Sequence, residues 1–225
     1  YKPFEDKDAP LSSMSYLADY APNYVLGATS FTLDATDGEG YGVANITYRI
    51  NGGSWILYSG AFDLGSFSSG LYTIEYFATD NVGNIESIHS EQVVLDDDSP
   101  SSTLSYTPYT NPNIVINTTT FTITSSDSSG VGLDAIYYRI DGGSWITYSG
   151  DFTLAGLGLG NHTIEYYADD LLGNSESIQS ETVSLFEIPG VTPFPGIPGI
   201  PIFLMLTIST MAIVSVAIFT KKKLK

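Results

Sequence analysis

Residues Ile46-Thr47-Tyr48-Arg49-Ile50 alternate apolar and polar side chains with a period of two, the pattern of a half-buried β-strand. Asn51-Gly52 follows. This dipeptide favours a type I′ turn because both central residues need positive φ, so a hairpin is predicted with Ser54-Trp55-Ile56-Leu57-Tyr58 as the returning strand. Further along, Leu71 to Ala78 reads as a longer strand with Ile74, Tyr76 and Ala78 on its inward face. Asp80-Asn81-Val82-Gly83-Asn84 supplies the next turn, Ser90 to Leu95 a closing strand, and Phe31-Thr32-Leu33 an early one. The 22 glycines, 16 tyrosines and frequent Thr, Ser, Ile and Val of the chain favour strands and turns over helices.

The same pattern then returns. Tyr48-Arg49-Ile50-Asn51-Gly52-Gly53-Ser54-Trp55 recurs as Tyr138-Arg139-Ile140-Asp141-Gly142-Gly143-Ser144-Trp145, displaced by 90 residues. Phe31/Phe121, Asp37/Asp127, Thr73-Ile74-Glu75-Tyr76/Thr163-Ile164-Glu165-Tyr166 and Gly83-Asn84/Gly173-Asn174 keep that displacement without a gap. A fixed, ungapped period of this length means two copies of one small domain in tandem. Several short strands per repeat with regular turn signals predict an all-β chain of two tandem immunoglobulin-like antiparallel β-sandwiches, at 9–97 and 98–187. With no cysteine, neither carries a disulfide. Asp8-Ala9-Pro10 matches Asp98-Ser99-Pro100, so residues 1–8 read as the end of a linker or of a preceding repeat.

The pattern changes after the second copy. Residues 188–199 are rich in proline and glycine, which removes backbone donors and favours an extended spacer. Residues 200–220 contain no charged side chain until the terminal lysines begin, and their length suits one transmembrane helix across a hydrocarbon core of about 30 Å. Lys221, Lys222, Lys223 and Lys225 in the tail 221–225 mark the cytoplasmic side. The expected topology is a single-pass protein of the cell membrane, N-terminus outside and C-terminus inside, with the lipid bilayer as a partner.

Charge narrows the function further. The net charge is −17, and residues 1–199 hold all 25 acidic groups against Lys2, Lys7, Arg49 and Arg139. Such a surface repels the nucleic-acid backbone, so a nucleic-acid partner is excluded.

Two resemblances attach to these motifs. Tyr-Arg-Ile-(Asn/Asp)-Gly-Gly-Ser-Trp, Tyr-Ser-Gly-x-Phe, Thr-Ile-Glu-Tyr and Ala-x-Asp-x-x-Gly-Asn resemble the immunoglobulin-like repeat modules of bacterial and archaeal cell-surface proteins. That likeness implies spacers, adhesion units or accessory domains, with surface proteins or glycans as partners, and it supplies no catalytic residues. The sequence Pro195-Gly196-Ile197-Pro198-Gly199, followed by one apolar span and a basic cluster, is similar to the C-terminal anchoring and sorting signals of archaeal surface proteins. The expected function is a membrane-anchored surface protein presenting two modules for adhesion or envelope structure. The alternative is a membrane-proximal stalk of a larger extracellular enzyme or carbohydrate-binding protein.

Candidate chemistry is sparse. Oxygen-rich acidic turns suit calcium, a hard cation taking six to eight oxygen ligands. The candidates are Asp34, Asp37 and Glu39, then Asp80 with Asn81 and Asn84, then Asp96, Asp97 and Asp98 at the joint between modules. Ordinary turn formation accounts for the same residues, and Ser125 and Ser126 precede Asp127 where the second copy needs acidic equivalents. Asn45, Asn117 and Asn161 each open an Asn-x-Thr acceptor for N-glycosylation. Trp55 and Trp145 are candidate sugar-stacking platforms or, more simply, covers for the sandwich surface. Arg49 with Glu75, and Arg139 with Glu165, are expected as cross-strand ion pairs.

No catalysis is expected. His89 and His162 fall at non-equivalent repeat positions, and Asp169-Asp170, adjacent on a strand end, point to opposite faces.

Overall fold

The computed structural model describes residues 5–20, 22–110, 112–128 and 130–188. The spacer and membrane span expected at 188–220, and the basic tail, lie outside the described residues apart from Ile188. Among the described residues there is no helix. The first copy contains β1 (Leu11–Ser15), β2 (Tyr24–Val25), β3 (Thr32–Thr36), β4 (Val43–Ile50), β5 (Ile56–Leu57), β6 (Gly70–Asp80) and β7 (His89–Leu95). The second repeats them as β8 (Ser101–Tyr106), β9 (Ile114–Val115), β10 (Phe121–Ser126), β11 (Leu133–Ile140), β12 (Ile146–Thr147), β13 (Gly160–Asp170) and β14 (Gln179–Leu185).

In each copy a two-stranded sheet, β1-β3 or β8-β10, faces a five-stranded one, β2-β7-β6-β4-β5 or β9-β14-β13-β11-β12. This is the layering of an immunoglobulin-like sandwich. One departure from the antiparallel expectation is common to both copies: β2 runs parallel to β7, and β9 parallel to β14. The predicted turns are in place, with φ of 49° at Asn51 and 68° at Gly52, and 52° at Asp141 and 69° at Gly142. The strand returning from each turn is only two residues long; in the first copy Thr47 pairs with Leu57 and Tyr48 with Ile56, and Tyr58 N adds one bond to the Ile46 carbonyl at 2.9 Å.

Alternation in β6 works as the sequence predicts. Ile74, Tyr76 and Ala78 are buried, as are Ile164, Tyr166 and Ala168 in β13. Val25, Phe31, Leu64, Ile74, Val93 and Leu95 form the first core, with Met14 and Tyr16 packed against it from the β1 side. Val115, Phe121, Ile123, Leu154, Ile164, Tyr166, Val183 and Leu185 form the second. Removing each aliphatic side chain from water contributes about 1.5–3 kcal/mol.

The Tyr-Ser-Gly-x-Phe motif has a physical reason as well. Phe62 bridges to Phe31 through paired backbone hydrogen bonds of 2.8 and 3.1 Å, and its ring stacks on Tyr48 at 4.2 Å. Phe152 does the same with Phe121 and Tyr138.

A buried carboxylate ties the two sheets. Glu86 accepts from Ala78 N of β6 at 2.6 Å and from both the backbone N and the hydroxyl of Ser12 on β1. Glu176 receives the same two donors from Ser102 on β8.

Candidate functional site

Three aspartates converge at the same place in each copy. Asp6, Asp37 and Asp80 each present a carboxylate oxygen within 4.8 Å of the others, and so do Asp96, Asp127 and Asp170. The two sets are related by the 90-residue period, residue for residue. Their contributions come from three different parts of the chain. Asp6 and Asp96 lie in the segment that leads into each sandwich, Asp37 and Asp127 follow β3 and β10, and Asp80 and Asp170 end β6 and β13. In the second set, Asp96 belongs to the residues that close the first sandwich, so this triad spans the joint between the two copies.

Backbone amides aim the carboxylates. Gly42 N donates to Asp37 at 2.7 Å and Tyr41 N to Asp6 at 3.0 Å; Gly132 N and Val131 N donate to Asp127 and Asp96, both at 2.7 Å. Asp80 Oδ1 accepts from the amides of Val82, Gly83 and Asn84, and Asp170 Oδ1 from those of Leu172 and Asn174. Asn84 and Asn174 each donate through Nδ2 to the other aspartate oxygen at 2.7 Å. The same Asn174 nitrogen reaches the Asp96 carbonyl at 3.1 Å.

Glycine closes one wall of each cluster. A side chain at Gly40 would collide with the carboxylates of Asp37 and Asp6, and one at Gly130 with those of Asp127 and Asp96.

No basic side chain neutralises these groups among the described residues. Lys7 pairs with Glu5 at 3.1 Å, Arg49 with Glu75 and Arg139 with Glu165, both at 2.8 Å. Asp96 is 1% exposed, and burial, together with the neighbouring charges of Asp127 and Asp170, raises its carboxyl pKa above the ordinary value despite hydrogen bonds from Val131 and Asp98. Burial pushes Asp80 in the same direction, but the bonds from Asn84, Val82 and Gly83 outweigh it and hold this carboxyl below the usual range. A compact set of carboxylate oxygens, oriented by amides and with no basic side chain beside it among the described residues, has the donor chemistry that suits a hard divalent cation.

The structure sorts the sequence candidates. Asp37, Asp80 and Asp96 enter the clusters; Asp34, Glu39, Asp97 and Asp98 do not. Asp34 is exposed on β3 and bonds its neighbour Ala35 N, while Glu39 is exposed in the following turn. Asp97 accepts from Gly27 N at 2.8 Å, and Asp98 contributes its backbone N–H to Asp96. Asn81 braces the turn by donating to the carbonyls of Tyr41 and Gly42. Asp6, Asp127 and Asp170 complete the clusters. Proximity along the chain points to Asp34 and Glu39. The 90-residue repeat selects the converging set, because position 34 becomes Thr124 and position 39 becomes Ser129.

The remaining candidates are also placed. Arg49 donates to both Glu75 oxygens at 2.8 and 3.0 Å, directly across the β4–β6 ladder, and its guanidinium lies 4.3 Å over the Trp55 ring. Phe77 meets the same indole edge-on. Arg139, Glu165, Trp145 and Tyr167 reproduce this arrangement. One face of each indole is thus already taken by a cation, although Trp55 remains 37% exposed. Asn45, Asn117 and Asn161 are all exposed. Asp170 is buried and Asp169 is not, in keeping with opposite faces.

No family model matches the chain, and no curated protein sequence does. Among solved structures it is similar to the fibronectin(III)-like modules of Clostridium thermocellum CbhA, at 16% identity over 77% of this chain and 93% of that one, TM-score 0.35. It is similar also to the D00-D0 domain of intimin, at 14% identity over 78% of this chain and 100% of that one, TM-score 0.32. A third is a tetra-tandem repeat in the extending region of a large adhesion protein, at 21% identity over 79% and 49% of the two chains, TM-score 0.28. By its own topology and geometry the chain is a tandem pair of β-sandwich modules, each opening on a three-carboxylate cluster.

Proposed function

We propose that this chain is a membrane-anchored cell-surface protein whose two modules form a stiff, non-catalytic projection serving adhesion or envelope structure, with calcium held at the start of each module. The observation that carries this reading is the Asp96-Asp127-Asp170 cluster, which joins the exit of one sandwich to two loops of the next. Calcium bound there would supply positive charge to three carboxylates and hold the joint in one orientation. Asp96, Asp127 and Asp170 would be its side-chain ligands, and Asp6, Asp37 and Asp80 those of the equivalent site. The glycine wall fits this role, since Gly130 keeps the space beside Asp96 and Asp127 open. The acidic surface suits a solution rich in divalent cations.

The apolar run at 200–220 and the lysines after it support anchoring with the modules outside. Exposed Asn45, Asn117 and Asn161 are then acceptors for glycans on that side. The test is small-angle scattering of the full chain in detergent, with calcium and with chelator. A narrow distribution of maximum dimensions with calcium that broadens with chelator supports the stiffened joint. Identical profiles, together with no calcium binding by calorimetry, would refute it. Accessibility of the modules to protease on intact cells tests the topology.

A further inference from the structure

The second module carries a histidine bonded at both ring nitrogens to acceptors. His162 Nδ1 lies 2.6 Å from Asp141 Oδ2 and Nε2 lies 2.7 Å from the Gly158 carbonyl oxygen. A carbonyl and an ionised carboxylate can only accept, so both bonds form together only when the imidazole carries a proton on each nitrogen. A neutral ring must give up one of them. The residue is 9% exposed, so water does not readily replace the lost partner.

The first module solves the same problem without a titrating group. Tyr72 occupies the position equivalent to His162, and its hydroxyl donates to the Ser68 carbonyl at 2.7 Å, the counterpart of Gly158. Asn51 stands where the second module has Asp141, and both bond the following strand alike: Asn51 Oδ1 accepts from Thr73 N and Asp141 Oδ1 from Thr163 N, each at 2.8 Å. Where the first copy has Asn and Tyr the second has Asp and His, so a charged bridge stands in one copy only.

We propose that His162 is a proton-operated clasp, closing the Asp141 turn onto the 154–160 loop of the second module when doubly protonated and releasing that loop when neutral. The loop so held carries Leu157 and Leu159, which are 40% and 65% exposed. Release would let these apolar side chains move independently of the sheet.

The surroundings leave Asp141 as the charged group acting on the ring. The 154–160 loop has no charged residue. Opposite His162 on β14 lies Val183, and the nearby Glu181 accepts from the Tyr106 hydroxyl. On β11 and β13 the next charged residues, Arg139 and Glu165, are bonded to each other. In keeping with the geometry, the bond to Asp141 and then the Gly158 carbonyl raise the imidazole pKa above its usual value, and the same contact lowers that of Asp141. A raised folded-state pKa means the stabilisation is complete below about 6.5, the ordinary histidine value, and is lost as pH climbs through the raised value.

The experiment is a pH titration of the full chain in detergent micelles by ring-detected NMR, with the unfolding midpoint of each module followed from pH 6 to pH 9. The expected result is two protected ring N–H signals from His162 at pH 6, a titration midpoint above 6.5, and a midpoint of unfolding that falls with pH for the second module alone. His162→Tyr, which puts the tyrosine of the first module in this place with a hydroxyl for the Gly158 carbonyl, is expected to fold and to remove this slope. A His162 midpoint at or below 6.5 would overturn the proposal, and so would an unchanged pH slope in His162→Tyr.

Discussion

Asn174 donates through one side-chain nitrogen to both the Asp170 carboxylate, at 2.7 Å, and the main-chain carbonyl of Asp96, at 3.1 Å, so a single amide registers the second sandwich against the exit of the first. Asn84 makes the equivalent bonds to Asp80 and, at 3.4 Å, to the carbonyl of Asp6. The Ala-x-Asp-x-x-Gly-Asn motif is therefore a device for fixing where a module begins. Its aspartate is held by the turn that the glycine permits, with φ of 87° at Gly173, and its asparagine reaches back to the linker.

Calcium is expected to raise the thermal midpoint of the chain, and chelator to lower it. At a hundredfold excess over its dissociation constant a ligand contributes about 2.7 kcal/mol. Asp127→Asn and Asp96→Asn should each remove the calcium response of the joint while leaving that of the Asp6 cluster. Differential scanning calorimetry with and without calcium checks this. A full response in both variants would show that calcium acts elsewhere.

Substitution at Gly130 should act through the same cluster. Gly130→Ala places a methyl group against the Asp127 and Asp96 carboxylates, so calcium affinity at the joint should fall at least tenfold, about 1.4 kcal/mol. Isothermal titration of this variant and of Gly65→Ala separates crowding of the cluster from a general glycine effect, since a side chain added at Gly65 meets its nearest atoms at 3.5 Å, an ordinary contact.

Arg49 and Glu75 should behave as a coupled unit with Trp55. Arg49→Lys keeps the charge but loses the two-pronged bond and the planar contact with the indole. Its thermal midpoint should fall, and the Trp55 emission should shift as the ring gains solvent. A Trp145→Phe background isolates that signal. In a double-mutant cycle, Arg49→Ala and Glu75→Ala should be non-additive, and additivity would reduce the pair to two independent surface groups.

Glu86→Gln should loosen the tie between the sheets. One oxygen becomes a nitrogen that cannot accept, leaving a donor from Ala78 or Ser12 unsatisfied, at a cost of about 1–3 kcal/mol. Burial raises the Glu86 carboxyl pKa, but bonds from Ser12, His89 and Ala78 overcome this and hold it below its usual value. The stability that follows from this depressed value is present above about pH 4.3, the ordinary glutamate value, and lost as pH falls through the depressed one. Acid unfolding of Glu86→Gln should therefore show a shallower pH dependence than the parent.

Strong local patterns made much of this fold legible. Alternation over 46–50 and 71–78, and positive-φ turns at Asn51-Gly52 and Asp141-Gly142, were enough to place β4, β6 and their hairpins. The Arg49–Glu75 register followed from the same alternation, because both residues lie on the outward face of adjacent strands. Two-residue β2 was not legible, since Tyr24-Val25 shows no period and its partner Val94-Leu95 lies far along the chain. Nor does Leu11-Ser12-Ser13-Met14-Ser15 read strongly as a strand, with Ser12 buried only because Glu86 receives it. The acidic site was half visible for a similar reason. Asp37, Asp80 and Asp96 stand out as turn acids, but their meeting depends on three segments that only the fold brings together.

The parallel pairing at the sheet edge decides how each module carries load. β2 and β7 run in the same direction, joined by Val94 N–H to the Asn23 carbonyl and Asp96 N–H to that of Val25, each at 3.0 Å. The second module repeats the seam with Ser184 to Asn113 at 2.7 Å and Phe186 to Val115 at 2.8 Å. Once β1 is drawn out, a pull on the chain ends slides β2 along β7, so both bonds must yield together. An antiparallel seam pulled from its open end would unzip one rung at a time. Each sandwich is therefore fastened in shear along this edge, whatever force draws its two ends apart.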